Sequence, residues 1–509
     1  MSAQATKHGV RVAAIQWARQ RSGSLAALAA SLHKPLGEAV GAGAELVVFS
    51  PGVDEALVPP SVLAKAAGGD PMEPMLTAQR VLGDELRHHF EALGCSLARE
   101  YRVVLALGSV LVGSGAGPQR VSYVFGPQGQ VLGSQVQTHR TPAERAGGLV
   151  RGEALAPIAT PLGLVGLVSG ADVEYPEVSR ILCLQGATLL VHQAILDRFG
   201  EALALSRLWR EVQANQVFGV EAYSVGLGAR GRSAVHAPLE MAPDHTGFLA
   251  RAPDDEQPAV VVADLDRDRL RQVVRSFPIY ALRNVAQYRH YFPAVYAENR
   301  APSEVRLGTG GPEDQSLVPS PQFPRAPEPP GGRKHAGTAL ERMFAGALGP
   351  WLAWHSRPQQ VTLALANLPY EPAAQPQGSQ ARIAVVQMGI GLALSAADYA
   401  RHVYQLVRQA VAGGASLVVF PEYTSLPLLG LLPGAQRLAD RLAKGQASQA
   451  PDAASAGGDY ATMAMAFRLA APAAQRVYRL TFSTLAARFA VTLLAGSLIE
   501  RGSDGRLYN

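Results

Sequence analysis

The stretch LVVFPEY, residues Leu417–Tyr423, is a short apolar run that ends abruptly in Pro-Glu. A run of this length after a Gly-rich break predicts a buried β-strand. A carboxylate at the carboxyl end of such a strand lies where parallel α/β sheets place their chemistry. The same run occurs near the N-terminus as LVVFSP, residues Leu46–Pro51, but without the carboxylate. We therefore expect the same strand in both copies, but a chemical role for the residue after it only in the second copy.

The composition predicts a large globular protein with more than one domain. The chain has 509 residues, 48% of them hydrophobic and 17% charged, which is ample apolar surface for burial in two or more cores. The net charge of +5 comes with Arg residues that are scattered and interleaved with acids, which argues against a nucleic-acid partner.

Cysteine content and hydropathy predict a cytoplasmic protein without a membrane segment. Cys95 and Cys183 are the two cysteines of the sequence, which is too few for a disulfide framework or a cysteine metal cluster. We expect both to be buried small apolar residues. The sequence has no apolar stretch near Met1 that would predict a signal peptide, and no run of 18 apolar residues.

An internal repeat relates the two ends of the chain. RVAAIQ (Arg11–Gln16) and the strand at Leu46 match RIAVVQ (Arg382–Gln387) and the strand at Leu417 at one constant offset. A strand, a helix, a Gly-rich cap and a strand recurring together predict a tandem duplication of a whole domain. The match resumes between LALGS (105–109) and LLAGS (493–497), after about 17 extra residues in the second copy. The small-residue stretch 445–458 within this insertion is predicted to be a surface loop.

Strands that alternate with helices, together with neighbouring strand pairs, predict a layered α/β sandwich. We expect a first domain at residues 9–296 and the N-terminal part of a second at residues 381–509. A Pro/Gly-rich linker at residues 297–380 lies between them. Within this linker we expect a short helix over Leu340–Trp354 and a strand over Val361–Leu368.

Several segments appear in an order that is typical of one enzyme family. A strand ends in Gln16, a second strand ends in Phe49, and QTHRTP (137–142) is followed by SGAD (169–172) and by a helix that begins with Pro-Glu. These segments resemble the carbon–nitrogen hydrolase family, the nitrilase superfamily. The resemblance covers nearly all of residues 10–295 and 381–509. It implies an αββα four-layer sandwich that packs against a like domain, either within the chain or in a homo-oligomer.

The resemblance also implies a three-residue catalytic site. A Cys thiolate attacks a nitrile or amide carbon and forms a thioimidate or thioester. A Glu acts as general base and acid. A Lys stabilises the oxyanion and favours the thiolate. No metal or organic cofactor is implied.

The first copy has lost all three groups. The Glu, Lys and Cys positions of the family fall on Pro51, Gln137 and Gly170, none of which can perform the corresponding step. As substitutes we considered Glu55, Arg140 and Cys183 and disfavour all of them: Cys183 lies on an apolar helix face, and Glu55 would be a base without a nucleophile. The first domain is therefore predicted to be a pseudoenzyme.

The residues that persist in the first copy are predicted to be scaffold. Asp172 and Glu177 keep the family's turn–helix pattern, and Glu144 matches a further family Glu that positions the Lys and the substrate. A structural role for these residues is favoured over a catalytic one.

In the second copy Glu422 occupies the position of the family's general base. By the intervals of the first copy, the Lys and Cys would lie beyond Asn509, so we expect the sequence to be a fragment that is inactive by itself. The predicted activity of the complete protein is hydrolysis of a small non-peptide amide or nitrile. Two alternatives stay open: a non-catalytic binding or scaffold protein, and an N-acyltransferase in which an amine accepts the acyl group from the same thioester.

Overall fold

The computed structural model describes residues 9–20, 25–64, 72–297, 339–373, 381–389, 391–437, 440, 453–502 and 507–508. The chain divides into two compact units, Met1–Arg283 and Asn284–Asn509. The predicted domain boundary at residue 296 thus lies 13 residues beyond the end of the first unit. Across the described ranges, no helix combines the length and the apolar character that crossing a bilayer requires.

The first unit contains two six-stranded sheets. The first sheet has, in spatial order, the strands β12 (Ala259–Asp266), β1 (Gly9–Gln16), β2 (Leu46–Phe49), β3 (Val104–Ser114), β4 (Gly117–Phe125) and β5 (Val131–Val136). The second sheet has the strands β11 (Phe248–Arg251), β10 (Ala234–His236), β9 (Phe218–Tyr223), β8 (Leu189–Ala194), β7 (Gly163–Ser169) and β6 (Ile158–Thr160).

Each sheet has a parallel centre and antiparallel edges. In the first sheet β1, β2 and β3 are parallel, and in the second sheet β7, β8 and β9 are parallel. Strand β2 reads as an unbroken apolar run because all four of its residues are buried. The parallel strands at the centre of each sheet all end on the same side of that sheet, and the candidate residues come directly after these strand ends.

Helices cover the outer faces of both sheets. In chain order, the helices of this unit are α1 (Leu25–Gly41), α2 (Val53–Leu57), α3 (Pro60–Leu63), α4 (Glu73–Leu82), α5 (Asp84–Tyr101), α6 (Pro142–Ala146), α7 (Pro176–Leu184), α8 (Glu201–Leu205), α9 (Leu208–Asn215) and α10 (Arg267–Ser276).

Three apolar cores show that the unit has four layers. One core lies between the first sheet and α1 and α5, and includes Leu36, Phe90 and Val47. A second core lies between the two sheets, and a third packs α7 and α9 on the second sheet. Each fully buried aliphatic side chain in these cores contributes roughly 1.5–3 kcal/mol. The predicted α/β class and the αββα layering of the first copy are confirmed.

The second unit is built on a three-stranded parallel sheet. Its strands are β13 (Ile383–Val385), β14 (Leu417–Val419) and β15 (Thr492–Leu494), and a separate two-stranded sheet contains β16 (Glu500–Arg501) and β17 (Leu507–Tyr508). Its helices are α11 (Val285–Ala297), α12 (Ala339–His355), α13 (Pro358–Ala366), α14 (Ala396–Ala412) and α15 (Ala453–Phe489).

Two secondary-structure expectations were wrong and one was met. The segment Val361–Leu368 is not a strand, because Val361, Ala364 and Leu365 are buried at helical spacing on α13, which begins at a favoured Pro358. The predicted loop at 445–458 is helical from residue 453 onwards, as part of α15, and its remainder lies outside the described residues. The helix expected over Leu340–Trp354 is present as α12. Residues 298–338 and 374–380 of the predicted linker lie outside the described residues.

Candidate functional site

Glu422 lies in the turn that directly follows β14. The backbone amide of Phe420 donates a hydrogen bond to the carbonyl oxygen of Leu494 in β15, at 2.8 Å. The amide of Tyr423, whose φ is 60°, donates to Ser497 Oγ, also at 2.8 Å. These bonds fix the turn at the carboxyl edge of the parallel sheet, and the Glu422 side chain is exposed there.

A glycine allows this turn to approach the neighbouring strand end in both units. A Cβ at Gly496, whose φ is +81°, would collide with the carbonyl oxygen of Pro421. A Cβ at Gly108, whose φ is +112°, would lie 3.3 Å from the Cα of Pro51. A positive φ and a close backbone approach both favour glycine. The turn after the second strand is therefore held against the third strand in each unit, with Pro51 in one and Glu422 in the other.

An open cavity of about 390 Å³ lies beside the turn of the second unit. Its lining is largely apolar and aromatic, and comprises Tyr423, Leu426, Phe467, Ile499, Leu507 and Tyr508. Apolar walls with a carboxylate nearby are typical of small-molecule sites.

In the first unit the structure brings Gln137 and Gly170 together. Gln137 follows β5, and Gly170 follows β7 with a left-handed φ of +51°. A Cβ built on Gly170 would lie 2.6 Å from Gln137 Oε1, so the glutamine occupies the space where a side chain at residue 170 would begin. Gln137 Oε1 is buried and has no hydrogen-bond donor among the described residues.

Glu144 holds the other end of Gln137. Gln137 Nε2 donates to Glu144 Oε2 at 2.7 Å, and Arg120 Nε donates to Glu144 Oε1 at 3.2 Å. Glu144 also forms a capping box with Thr141 at the start of α6, since Thr141 N donates to Glu144 Oε2 and Glu144 N donates to Thr141 Oγ1. The carboxylate is therefore fixed by a helix terminus, an arginine and the glutamine.

Asp172 and Glu177 lie in different surroundings. Asp172 is fully buried and accepts hydrogen bonds from the backbone amides of Thr138 and His139 at 3.0 and 2.7 Å. Burial raises the pKa of the Asp172 carboxyl, although these bonds favour its ionised form. Asp172 thus joins the turn after β7 to the turn after β5. Glu177 is exposed in the first turn of α7, where a negative charge complements the helix dipole.

The carbonyl oxygen of Pro51 accepts a 2.6 Å hydrogen bond from Ser224 Oγ. The three possible substitutes have other roles. Glu55 pairs with Arg19 at 2.6 Å, and Arg140 donates to the carbonyl oxygen of Leu149 at 2.6 Å. A second acid beside Glu55, Asp54, has no clear signal in the sequence.

Cys183 has a buried thiol. It is buried in the helix–sheet core, and burial raises its pKa to about 12, so that the thiolate is scarce near neutral pH. Its expected burial is confirmed, whereas Cys95 is only partly buried.

Asp54 is a buried acid that follows Pro51 by three residues. Desolvation, followed by the neighbouring charge of Glu55, raises the pKa of Asp54 to about 7, while Arg120 opposes the shift. The sequence signal is weak, because an Asp in the first turn of a short helix is usually a solvated N-terminal acid. It is buried here because α2 turns back into the core after a left-handed Gly52.

A second unpredicted group surrounds Glu221 in β9. His192 Nδ1 lies 2.8 Å from Glu221 Oε1, and His236 Nε2 lies 3.2 Å from Oε2. Tyr223 donates its hydroxyl hydrogen to Oε1 at 2.6 Å. Burial alone raises the pKa of Glu221, but the hydrogen bonds and charges of the two histidines hold it well below its ordinary value. Polar residues within apolar strands were the available signal, because each must find a buried partner.

The second ring nitrogen of His192 connects this group to the candidate site. His192 Nε2 lies 3.1 Å from the carbonyl oxygen of Gly170. Since Glu221 Oε1 and this carbonyl are both acceptors, the two ring nitrogens of His192 both face acceptors. The backbone of Gly170, where the family resemblance places the nucleophile, therefore contacts a buried polar network.

Three strand-end positions in the first unit carry no catalytic side chain. Pro51, Gln137 and Gly170 lie at strand ends and supply neither a nucleophile, a proton-transferring group nor a cation. The parts of the chain that the structure describes contain no group of three or more His, Cys, Asp and Glu side chains placed to bind a metal ion.

Comparison with known proteins identifies the class. The model of the carbon–nitrogen hydrolase family matches residues 11–275, slightly more than half of the chain. The chain belongs to the carbon–nitrogen hydrolase family.

Two relatives match at low sequence identity. Hydrolase C26A3.11 of Schizosaccharomyces pombe is 24% identical over 225 residues, which cover 42% of this chain and 68% of that protein. A deaminated glutathione amidase of Escherichia coli is 27% identical over 136 residues, which cover 26% of this chain and 50% of that protein.

Solved structures also match this chain. A carbon–nitrogen hydrolase from Helicobacter pylori matches with a TM-score of 0.45 and 21% identity, over 57% of this chain and 99% of the other. A double mutant of the amidase from Nesterenkonia sp., in complex with acrylamide, matches with a TM-score of 0.43 and 19% identity, over 57% of this chain and 98% of the other.

Proposed function

We propose that the complete protein hydrolyses a small non-peptide amide in a site built around Glu422, and that the first unit is a non-catalytic scaffold. In this proposal Glu422 is the general base of a second domain of the same family, and it acts with a Lys and a Cys that the matching positions of residues 1–509 do not supply. Amides are favoured over nitriles because amidases occur among the relatives.

The observation that supports this proposal most strongly is the shared strand register of the two units. Strand β1 pairs with β2 as Val12↔Leu46, and β13 pairs with β14 as Ile383↔Leu417, with both residues displaced by the same offset. The turns after β2 and β14 are therefore equivalent. Glu422 then occupies the position at which the first unit has Pro51.

Side-chain contacts repeat in the same way. Arg11 NH1 donates to the carbonyl oxygen of Ala42 after α1, and Arg382 NH1 donates to that of Gly413 after α14, each at 2.9 Å. The offset between the two pairs equals that of the strands. A shared register and a shared helix-end contact support a duplication, which the sequence repeat predicts.

The proposed reaction follows from the groups that it needs. Glu422 accepts the proton of the Cys thiol, the resulting thiolate adds to the amide carbonyl carbon, and Lys stabilises the oxyanion that forms. The C–N bond then breaks and the leaving amine takes a proton from Glu422, which leaves a thioester. Glu422 removes a proton from water, which attacks the thioester, and the acid leaves as the thiolate re-forms.

Amide turnover tests this proposal. Ammonia release would be measured for residues 1–509, for the protein expressed from the full gene, and for the Glu422→Gln variant of that protein. We expect turnover by the protein from the full gene, and a loss of about 10²–10⁴-fold in kcat on Glu422→Gln. Glu371→Gln, which changes an exposed carboxylate of the same unit, is the matched control and should have no effect. Turnover by residues 1–509 that Glu422→Gln leaves unchanged would contradict the proposal.

A further inference from the structure

Tyr423 has a backbone conformation that its residue type disfavours. Its φ of 60° lies in the left-handed region, where a bulky side chain is strained and glycine is not. Two hydrogen bonds hold this conformation, since the Tyr423 amide donates to Ser497 Oγ and the Leu426 amide donates to the Tyr423 carbonyl oxygen, each at 2.8 Å. Backbone strain that the surrounding structure enforces is concentrated at active sites and ligand clamps. The presence of a tyrosine here therefore needs a reason other than backbone geometry.

The first unit has glycine at the equivalent position. At the offset shared by the two strand pairs, Tyr423 corresponds to Gly52, whose φ is +106°. Both turns are thus left-handed, and glycine adopts this conformation without strain. The first unit also leaves little room for a side chain, because a Cβ on Gly52 would lie 3.2 Å from Arg19 Cγ. In the second unit, by contrast, Tyr423 lines the cavity of about 390 Å³ beside the turn that contains Glu422.

The walls of this cavity favour an aromatic ligand. Three of its six lining side chains are aromatic, those of Tyr423, Phe467 and Tyr508, and the other three are aliphatic. Aromatic side chains bind a further ring through offset-stacked or edge-to-face contacts. An engineered apolar cavity of about 150 Å³ binds benzene, so the larger volume here leaves room for a ring together with an amide group.

The same walls disfavour a charged ligand. None of the six lining residues carries a charge. Glu500, which follows the lining residue Ile499, already accepts hydrogen bonds from Arg479 and Gln475, each at 2.8 Å. An ionised group placed against these walls would lose its hydration without gaining an opposite charge, and an anion would also be repelled by Glu422.

We propose that Tyr423 is a specificity-determining residue whose ring binds the acyl side of the substrate, and that this substrate is a neutral amide with an aryl or arylalkyl acyl group. This inference rests on the proposed function, because it assigns the substrate class of the site around Glu422. The strain at Tyr423 is then offset by the aromatic contact that glycine could not provide.

Binding can be measured separately from turnover. Isothermal titration calorimetry with residues 1–509 would use phenylacetamide as the probe and compare it with acetamide, which lacks the ring, and succinamate, which carries a carboxylate. We expect saturable binding of phenylacetamide, with both other amides weaker by about tenfold or more because the ring stays in water or the charge is desolvated. No saturable binding of phenylacetamide, or equal binding of acetamide, would overturn the proposal.

Tyr423→Gly separates a role in ligand binding from a role in packing. Glycine relieves the strain, so the thermal unfolding midpoint should stay the same or rise, while phenylacetamide binding should weaken by about fivefold or more. Tyr423→Phe keeps the ring and should keep the affinity. A variant Tyr423→Gly that binds phenylacetamide as tightly as the parent chain, with a lower midpoint, would show a packing role and overturn the proposal.

Two further variants complete this experiment. Phe467→Ala removes another aromatic wall of the cavity without changing the turn, and it should also weaken phenylacetamide binding. Tyr288→Ala is the matched control, because Tyr288 on α11 is 40% exposed and Tyr423 is 43% exposed. Equal weakening by Tyr288→Ala would place the probe outside the cavity and would contradict the proposal.

Turnover by the protein expressed from the full gene separates this inference from the proposed activity. Its kcat/KM for phenylacetamide should exceed that for acetamide by about tenfold or more, and Tyr423→Gly should remove this preference. Equal turnover of both amides, lost on Glu422→Gln, would contradict the substrate class and support the hydrolase. Binding of phenylacetamide that depends on Tyr423, in a protein that hydrolyses no amide, would support the aromatic site and contradict the hydrolase.

Discussion

Replacement of Glu221 by Gln tests whether the buried network below Gly170 stabilises the first unit. The substitution keeps the shape of the side chain and removes its charge. Glu221 is about 1% exposed and contacts His192, His236 and Tyr223. Removing one partner of a buried charged network costs about 3–5 kcal/mol, because the remaining partners stay desolvated.

The expected size of the effect can be compared with that of a surface carboxylate. Glu201 contacts Arg232 and Arg251 at 3.1 and 2.8 Å, but its side chain is 63% exposed. Exposed ion pairs contribute about 0–1 kcal/mol. Glu201→Gln is therefore a matched control in the same unit, and Glu221→Gln should lower the free energy of unfolding several-fold more.

The pH dependence has a defined sign. Because the pKa of Glu221 is held below its ordinary value in the folded state, its ionisation stabilises the fold above a pH of about 4.3, the value for an unfolded Glu. This contribution falls as the pH drops further. The difference between wild type and Glu221→Gln should therefore be full at pH 7 and should shrink below pH 4.

The assay is urea unfolding followed by circular dichroism at pH 7 and at several lower pH values. At a loss of 3 kcal/mol the thermal midpoint of a unit of this size falls by roughly 6–12 °C. A change at pH 7 no larger than that of Glu201→Gln, or a difference that grows toward low pH, would refute the reasoning.

Three other outcomes follow from single residues. Gly170→Ala should destabilise the first unit by about 1–3 kcal/mol, because residue 170 has a φ of +51° and Gln137 Oε1 lies where the new Cβ would be. In a double-mutant cycle measured by urea unfolding, adding Gln137→Ala should recover only the part of this loss that comes from the clash with Gln137. With a thiol reagent on native protein at pH 8, Cys95 should react well before Cys183, whose pKa is raised to about 12 by burial, and equal rates would refute this. Because the pKa of Asp54 is raised to about 7, the stability of the first unit should fall as the pH rises from about 4 to 7. Asp54→Asn should therefore stabilise the unit more at pH 8 than at pH 5. An effect of this substitution that does not depend on pH would be inconsistent with the raised pKa.

The sequence predicted the elements whose signals are local. The apolar run at Leu46 and the matching run at Leu417 formed parallel strands in the same register, because a buried strand needs a continuous apolar stretch. Gln137 and Gly170 also came together, since both follow strands whose ends meet at one edge of the sandwich.

The features that the sequence did not predict depend on contacts between distant parts of the chain, which local sequence patterns do not contain. A short apolar stretch such as Val361–Leu368 fits a strand or a buried helix equally well, and only its packing partners decide between them. The network at Glu221 requires the register of β9 with β8 and β10, which places His192 and His236 beside it. The burial of Asp54 depends on the direction in which α2 leaves the strand.

The pairing of β1 with β12 has a consequence for how the first unit folds. Arg11 at the start of the chain donates to both carboxylate oxygens of Asp264, 253 residues later, at 2.7 and 2.8 Å. The edge of the first sheet therefore stays open during synthesis until residue 266 has left the ribosome, whereas β1, α1 and β2 can assemble from nearby sequence. A nascent chain that stops before β12 would expose one side of β1 to other chains, so the last strand of this sheet to be made also protects the first from aggregation.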